Sequence, residues 1–404
     1  MADLRVLHVT PYYAQAWAYG GVPRVVAAQV KGLAGRGVQV TVATTDACDR
    51  ASRATGPAQG VDDAGVEVRV FPNLSNRLAH RWQLFLPRGL DAFLRRSLHR
   101  FDLAHLHACH NLPGAIAARR LSRAGVPYLV QPNGTAARIE RRRTAKWLFD
   151  ASVGRRTLPG AARVIAVTEA ERRQLAALGV GSGAVEVIPN PVDLDELAAP
   201  LNRGAFRERH GLGRRTLITY LGQLSPRKRV DLAVRAVAAL QDPEPVLVIA
   251  GGDMGSERAL RRLAAELGLA SRTCFVGVLS ARQRLEALAD SDVVVYPTES
   301  EVFGLVPVEA ILCGTPVVVS DDCGCGEVVG GLDGGVVAAS GDVEALAAGV
   351  RDILANPDGW RPRVARAAER ARLRYSAEAV AERLEELYET VRRRAGKAGK
   401  EGPR

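Results

Sequence analysis

The chain has 404 residues, of which 47% are hydrophobic, and it carries a formal net charge of +11 with a pI of about 9.7. That length suits two sizeable cores, at one domain per roughly 150 residues. No apolar run reaches the roughly 20 residues of a membrane-spanning helix. The first ten residues alternate like a strand and lack a signal peptide's apolar core and cleavage site; a cytoplasmic location is therefore expected.

In chain order, short β-branched runs fall at 5–10, 39–44, 67–71, 103–107, 128–131 and 163–167. A second series follows at 216–221, 246–250, 273–276, 293–296, 316–320 and 335–337. Ala/Leu/Arg-rich stretches of helical spacing separate them. Two βα series predict an α/β protein with two doubly wound parallel sheets. The division is expected near Ile188-Pro189-Asn190-Pro191-Val192-Asp193, where two prolines interrupt regular structure. That sets domains at 1–190 and 191–375. Beyond them a terminal helix, 376–394, places Val380, Leu384, Leu387, Tyr388 and Val391 on one face. Ligands of such sheets bind at the carboxyl ends of strands, so the cleft between the two sheets is the expected site.

The first strand leads into Tyr19-Gly20-Gly21-Val22-Pro23, with a helix expected from Pro23. Two glycines before a helix start let the backbone approach a phosphate, although the pair also suits an ordinary turn. His105, His107 and His110 cluster after another strand, with His107 and Asn133 as candidates to face the cleft. No Asp or Glu lies among them, and no metal site is expected. The six cysteines (Cys48, Cys109, Cys274, Cys313, Cys323, Cys325) are scattered, without a zinc-type pair of pairs. They read as buried or incidental thiols.

Between 138 and 156, Arg138, Arg141, Arg142, Arg143, Lys146, Arg155 and Arg156 surround Trp147, Leu148 and Phe149. A basic helix interleaved with aromatic residues suits an anionic membrane surface; a solvated Arg-rich helix is the alternative. No nucleic-acid-binding module is present, so no nucleic-acid partner is expected.

In the second half, Gly222-Gln223-Leu224-Ser225-Pro226-Arg227-Lys228-Arg229 follows a strand. Its three adjacent cations suit a diphosphate, and Lys228 is placed to neutralise a leaving group. The most informative segment is Glu301-Val302-Phe303-Gly304-Leu305-Val306-Pro307-Val308-Glu309. A helix is expected from Pro307, with the Gly304 and Leu305 amides at or near its N-terminus, where unpaired N–H groups and positive dipole hold phosphate. Glu309 is then a candidate for ribose hydroxyls and Glu301 for a sugar. The alternative gives Glu309 to the helix dipole and Glu301 to solvent. Asp193-Leu194-Asp195 and Asp290-Ser291-Asp292 are poorly placed to hold a metal, the first in the linker and the second before a strand.

These residues together resemble the family 4 retaining glycosyltransferases of the GT-B fold. The likeness runs from Gly20-Gly21 through Ala166-Val167-Thr168-Glu169-Ala170-Glu171, Ile188–Asp193 and Phe275-Val276-Gly277. It is densest at Glu301 and Glu309 with Gly314-Thr315-Pro316-Val317-Val318 behind them. The resemblance implies a nucleoside-diphosphate sugar as donor, no cofactor, and transfer with retained configuration to a saccharide or lipid-linked acceptor in polysaccharide or glycolipid biosynthesis. By it, the donor site comprises Gly21, Gln223, Lys228, Val276, Gly277, Glu301, Phe303, Gly304, Leu305 and Glu309. Catalysis falls to Lys228, Glu301, Asn133 and His107. The terminal helix is expected to cross back to the N-terminal, acceptor-binding domain. Two positions depart from the pattern: Gln223 stands where the family usually has Arg, with Arg227 or Arg229 as substitutes, and Asn133 stands where it often has His. A sugar-nucleotide epimerase or phosphorylase of the same fold is the alternative enzyme. A sugar-nucleotide-binding subunit without activity is the alternative outside catalysis.

Overall fold

In a computed structural model, the structure describes residues 4–16, 19–55, 57–136, 149, 153–154, 157–240 and 244–400. The expected basic helix at 138–156 lies outside the described residues, apart from Phe149, Val153 and Gly154. The chain forms two compact units, 1–191 with 377–404, and 192–376.

The first unit is built on eight strands: β1 (Arg5–Val9), β2 (Gln39–Thr45), β3 (Gln59–Val61), β4 (Glu67–Phe71), β5 (Leu103–His107), β6 (Tyr128–Gln131), β7 (Arg163–Ala166) and β8 (Val185–Val187). They lie in the order β3-β4-β2-β1-β5-β6-β7-β8, parallel except for the antiparallel edge strand β3. Alternation along the strands separates two apolar faces. Leu7, Val9, Ala104, Leu106 and Val130 pack with Leu90, Leu94 and Leu121 of helices Leu90–Ser97 and Leu112–Ala124. Val6, Leu103, Leu129 and Ile165 pack with Val26, Val30 and Leu33 of helix Val22–Gly35. The terminal helix Ala377–Lys400 completes that second core with Val380, Leu384, Leu387, Tyr388 and Val391.

The second unit holds β9 (Leu217–Leu221), β10 (Val246–Ala250), β11 (Thr273–Gly277), β12 (Val293–Tyr296), β13 (Val317–Ser320) and β14 (Gly335–Ala338). All run parallel in the order β11-β10-β9-β12-β13-β14. This is the dinucleotide-fold order, and the strand order reverses between β9 and β12. The equivalent reversal in the first sheet falls between β1 and β5. Each opens a crevice at the strands' carboxyl ends.

Both Asp-x-Asp triplets lack the arrangement of a metal site. Asp290 accepts hydrogen bonds from the amides of Gly204, Phe206 and Arg207 at 2.6, 3.0 and 3.3 Å, tying helix Ala205–Arg209 to the end of helix Ala281–Asp290. Asp292 pairs with Arg207 at 2.9 Å and accepts from the Leu217 amide. In the other triplet, the Asp193 carboxylate accepts from the Asp195 amide at 3.0 Å.

Candidate functional site

Backbone geometry marks the strand ends first. Among the residues other than glycine with positive φ, Ala108 (61°), His110 (56°) and Asn133 (52°) follow β5 and β6, while Arg229 (44°) and Ser300 (56°) follow β9 and β12. Such conformations are costly outside glycine and collect where function holds the chain in place.

At the second unit's reversal, the loop after β9 brings Lys228 against the end of β12. Its ammonium is ion-paired with the Glu301 carboxylate and donates to the Tyr296 hydroxyl at 3.0 Å. That hydroxyl donates in turn to Glu301 at 3.4 Å. Burial pushes the Glu301 carboxyl up, but the charges of Lys228 and Arg227 and the hydrogen bonds from Lys228 and Tyr296 outweigh it and hold the group below its usual range. Burial also keeps Tyr296 neutral, well above the ordinary phenol range, with Glu301 adding to the shift. Glu301 is therefore a poor proton donor at neutral pH, and the trio is a fixed polar cluster with one cation.

Several contacts hold the loop in place. Tyr220 stacks near Tyr296 at 6.1 Å between ring centroids and donates to the Gln223 carbonyl at 3.1 Å. Gly222 and Leu224 donate to the carbonyls of Ala250 and Gly252, both at 2.9 Å. Gly251 must be glycine: a Cβ there would lie 1.8 Å from the Gly222 oxygen, and its φ is 144°. Arg229 is committed to Glu299 and Asp231. Arg227 donates to the Ser300 carbonyl at 3.4 Å and contributes to the field at Glu301. Arg227 is thus the better placed of the two arginines to substitute for the cation that Gln223 lacks.

The helix on the Glu301 loop differs from expectation. It spans Leu305–Leu312, with Gly304 as its left-handed N-cap at φ 82°, so Pro307 is its third residue. The amides at Leu305 and Val306 open its N-terminus, and Pro307 has no N–H to offer. A Cβ on Gly304 would come within 2.5 Å of the Cys325 sulfur. Cys325 in turn donates its amide to the Glu301 carbonyl at 2.8 Å. Phe303 is buried with its ring 5.2 Å from that of Tyr375, so it is a packing anchor for the loop rather than an open donor contact.

Glu309 requires a correction too. It lies in the second helical turn, not the first, is 1% exposed, and its carboxylate is 3.3 Å from the Arg284 guanidinium. Arg284 also pairs with Glu196. The carboxylate thus lies in a buried ion-pair network with Arg284 and Glu196. At the end of β11, Val276 packs inward against the Phe206 cluster, and Gly277 is exposed with φ 72°. The open surface there is the Gly277 backbone and the exposed Val278 side chain.

In the first unit, Gly21 is exposed and caps helix Val22–Gly35, which begins at Val22. The histidines regroup. His8 of β1 sits opposite His105 of β5, and His8, His105 and His107 bring ring nitrogens within 4.8 Å of one another. His8 Nδ1 lies 2.9 Å from His107 Nε2, and His105 Nδ1 lies 2.6 Å from the Tyr388 hydroxyl. All three are fully buried. Burial lowers each pKa, that of His8 to about 3, so the imidazoles are neutral at physiological pH. His107 therefore does not face an open crevice, contrary to expectation. His110 stands apart, with Nδ1 2.9 Å from the Thr135 carbonyl.

Asn133 is half-buried at the end of β6, where its carbonyl oxygen accepts from Gln131 at 3.3 Å. The turn carrying it is fixed by Glu171, which accepts from the amides of Gly134 at 2.5 Å and Val167 at 2.8 Å. Burial raises the Glu171 carboxyl to about 7 against the effect of those two bonds. Arg284 and His8 were not singled out by sequence. Glu171 stood, without a role, in the segment Ala166–Glu171 that carries the resemblance, and Tyr296 is the one polar residue closing the apolar run Val293-Val294-Val295.

A parallel sheet with a cation, a carboxylate and an open helix N-terminus at its reversal defines a class of nucleotide-type binding domains. Comparison with known proteins makes the class specific. The profile described as "Glycosyltransferase Family 4" matches residues 19–196, and that described as "Glycosyl transferases group 1" matches 202–379. A D-inositol 3-phosphate glycosyltransferase of Kineococcus radiotolerans is 31% identical over 94% of this chain and 93% of its own. One from Nocardiopsis dassonvillei is 34% identical over 86% and 84%. Among solved structures, Anabaena HepE in complex with UDP superposes with a TM-score of 0.75 at 20% identity, covering 96% of this chain and 100% of its own. The chain belongs to the family 4 glycosyltransferases and has their GT-B fold.

Proposed function

We propose that this chain is a retaining, metal-independent transferase that moves a hexose-like sugar from a nucleoside diphosphate to a saccharide or lipid-linked acceptor. The observation that carries this reading is the Lys228–Glu301–Tyr296 cluster at the β9/β12 reversal, beside the helix N-terminus at Gly304. Lys228, Arg227 and the amides after Gly304 supply positive charge for the departing diphosphate, so the step needs no metal ion. Glu301 receives sugar hydroxyls and fixes Lys228. The Gly277 backbone lies along the base.

Retention follows from same-face displacement. The anomeric carbon–oxygen bond to the diphosphate breaks as the acceptor oxygen bonds the same face. The acceptor proton passes to the departing phosphate oxygen, because Asn133 cannot act as a base and His107 is sealed in the core. Asn133 serves as a hydroxyl partner, and Glu171 sets its position. Glu309 supports the donor helix through Arg284.

The relatives point to the acceptor class. Two are named for D-inositol 3-phosphate. A third, from Mycolicibacterium smegmatis and 37% identical over 44% of this chain, is a GDP-mannose-dependent phosphatidylinositol monomannoside mannosyltransferase. An anionic, polyol-bearing acceptor also suits a chain of net charge +11. We place the reaction in the cytoplasm, with the basic stretch 138–156 as a contact for anionic membrane. Among the described residues no helix is long and apolar enough to cross a bilayer.

The test is a donor panel of UDP- and GDP-sugars with inositol phosphate and lipid-linked acceptors, in chelator, with products read by NMR. A glycoside of unchanged anomeric configuration is expected. An inverted product, or a strict metal requirement, contradicts the reading. A sugar isomerised without acceptor would make the chain an epimerase.

A further inference from the structure

In the first unit, the segment between β4 and helix Leu90–Ser97 turns apolar side chains outward. Helix Asn76–Trp82 buries Asn76 and Ala79, and Phe85 behind it is buried with Tyr12, Ala16 and Ala47. Yet Leu74 and Trp82 are each 50% exposed, with Leu84 at 40% and Leu78 at 38%. The segment is an ordered fold element. Ser75 caps the helix by accepting from the Leu78 amide, and Gln83 closes it in the left-handed conformation. The Leu84 amide returns to the Leu78 carbonyl at 3.4 Å, and that of Leu74 meets the Leu86 carbonyl at 3.1 Å. The chain thereby turns back on the helix at Leu84. Leu78 and Trp82 share a face at helical spacing. Clustered exposed apolar side chains of this size mark an interaction surface.

Charge identifies the partner. Between Glu67 and Asp91 the sequence contains no acidic residue, while Arg77, Arg81 and Arg88 flank the apolar side chains and are exposed. The Arg81 guanidinium lies 5.5 Å from the centre of the Trp82 ring. Leucines to enter the acyl boundary, a tryptophan at headgroup depth and arginines for lipid phosphates are the parts of an interfacial anchor. The base of the segment packs on the loop after β1, where the Tyr19 ring lies 5.3 Å from Phe85. That loop leads directly to Gly20-Gly21.

We infer that Leu74, Leu78, Trp82 and Leu84, ringed by Arg77, Arg81 and Arg88, dock the first unit onto an anionic phospholipid bilayer. The anchor is separate from the basic stretch 138–156 and does not depend on the transferase reading. It sets a lipid surface beside the loop leading to Gly21.

The experiment is co-sedimentation of the full chain with vesicles of phosphatidylglycerol and phosphatidylcholine, and of phosphatidylcholine alone, without sugar nucleotide. Three variants are compared: Leu78→Ser with Trp82→Ser, Arg77→Ser with Arg81→Ser, and Arg141→Ser with Arg142→Ser and Arg143→Ser. The first two are expected to weaken binding to the anionic vesicles, the arginine pair by roughly fivefold per charge. Thermal unfolding is expected to be unchanged in both, and the arginine pair decides the matter if the apolar variant misfolds. Unchanged binding in a folded Arg77/Arg81 variant overturns the inference, as does binding lost only in the 141–143 variant. A lipid-free dimer that Leu78→Ser with Trp82→Ser dissociates assigns the surface to a second copy and also overturns it. Failure of sugar transfer leaves every one of these outcomes readable.

Discussion

Lys228 and Glu301 meet as an ion pair between the loops that follow the two strands flanking the reversal of strand order, with Tyr296 bonded to both. The pair has two consequences. It keeps a cation at the strand ends before any diphosphate arrives, and it leaves Glu301 ionised and unsuited to donate a proton. Lys228→Gln should lower transfer by at least roughly a hundredfold, the scale seen when one charge-stabilising donor is lost. It should also destabilise the second unit, since a buried carboxylate loses its partner. Lys228→Met with Glu301→Gln should regain stability without regaining activity. Urea unfolding and initial rates on the three proteins separate these effects.

Arg284 and Glu309 make a different prediction. Removing one member of a buried pair costs roughly 3–5 kcal/mol. Glu309→Ala should therefore lower the unfolding midpoint more than Glu301→Ala does, because Glu309 is the more deeply buried of the two. Loss of transfer in the Glu309 variant should be accompanied by this loss of stability. A Glu309→Ala protein with wild-type stability would show that the carboxylate serves the donor alone.

Gly304 and Gly251 each fix a loop at the carboxyl ends of the second sheet. Gly304→Ala puts a methyl against the Cys325 sulfur at a φ of 82°. It should weaken nucleoside-diphosphate binding by roughly tenfold or more, given about 1–3 kcal/mol of strain at such positions. Gly251→Ala, with a methyl overlapping the Gly222 oxygen, should cost more and damage the β9 loop itself. Calorimetric titration with UDP and GDP reads the first; thermal unfolding reads the second.

Two buried groups in the first unit oppose one another in pH dependence. The Glu171 carboxyl is raised to about 7, so its contribution to stability is full below its unfolded value of about 4.5 and is lost as pH rises through about 7. His8 is lowered to about 3, so its contribution is full above 6.5 and is lost as pH falls towards about 3. Each slope is at most about 1.4 kcal/mol per pH unit. Glu171→Gln should remove the decline towards pH 7 and leave the acid limb intact. His8→Gln should soften the acid limb alone. Denaturant unfolding across that range checks both.

Most of the sheet framework was legible because its strands are continuous apolar runs between helical stretches. The two strands not foreseen, β3 and β8, are three residues each and lie in glycine-rich or polar surroundings at sheet edges. There pairing with a neighbour, not local pattern, makes the strand. Lys228 and Glu301 were legible because each follows an apolar run at a strand's end. The fate of Glu309 was not, because whether a helical carboxylate faces a ligand or an arginine depends on a helix elsewhere in the sequence. His8 joins His105 only through the register of β1 on β5. Helix Leu305–Leu312 starts before its proline because Gly304 takes the left-handed cap, leaving Pro307 inside the first turn. The basic, apolar segment 74–84 was missed because sequence does not tell outward from inward leucines.

The central claim is that Lys228 neutralises a nucleotide's diphosphate at the β9/β12 reversal. Calorimetric titration of wild type and Lys228→Gln with nucleoside diphosphates and with the matching nucleosides tests it most directly. The account predicts a loss of roughly tenfold or more in diphosphate affinity, from one charge-assisted contact of about 1.5–3 kcal/mol, with nucleoside affinity unchanged. Equal diphosphate affinity in the two proteins, with the variant folded, would contradict it.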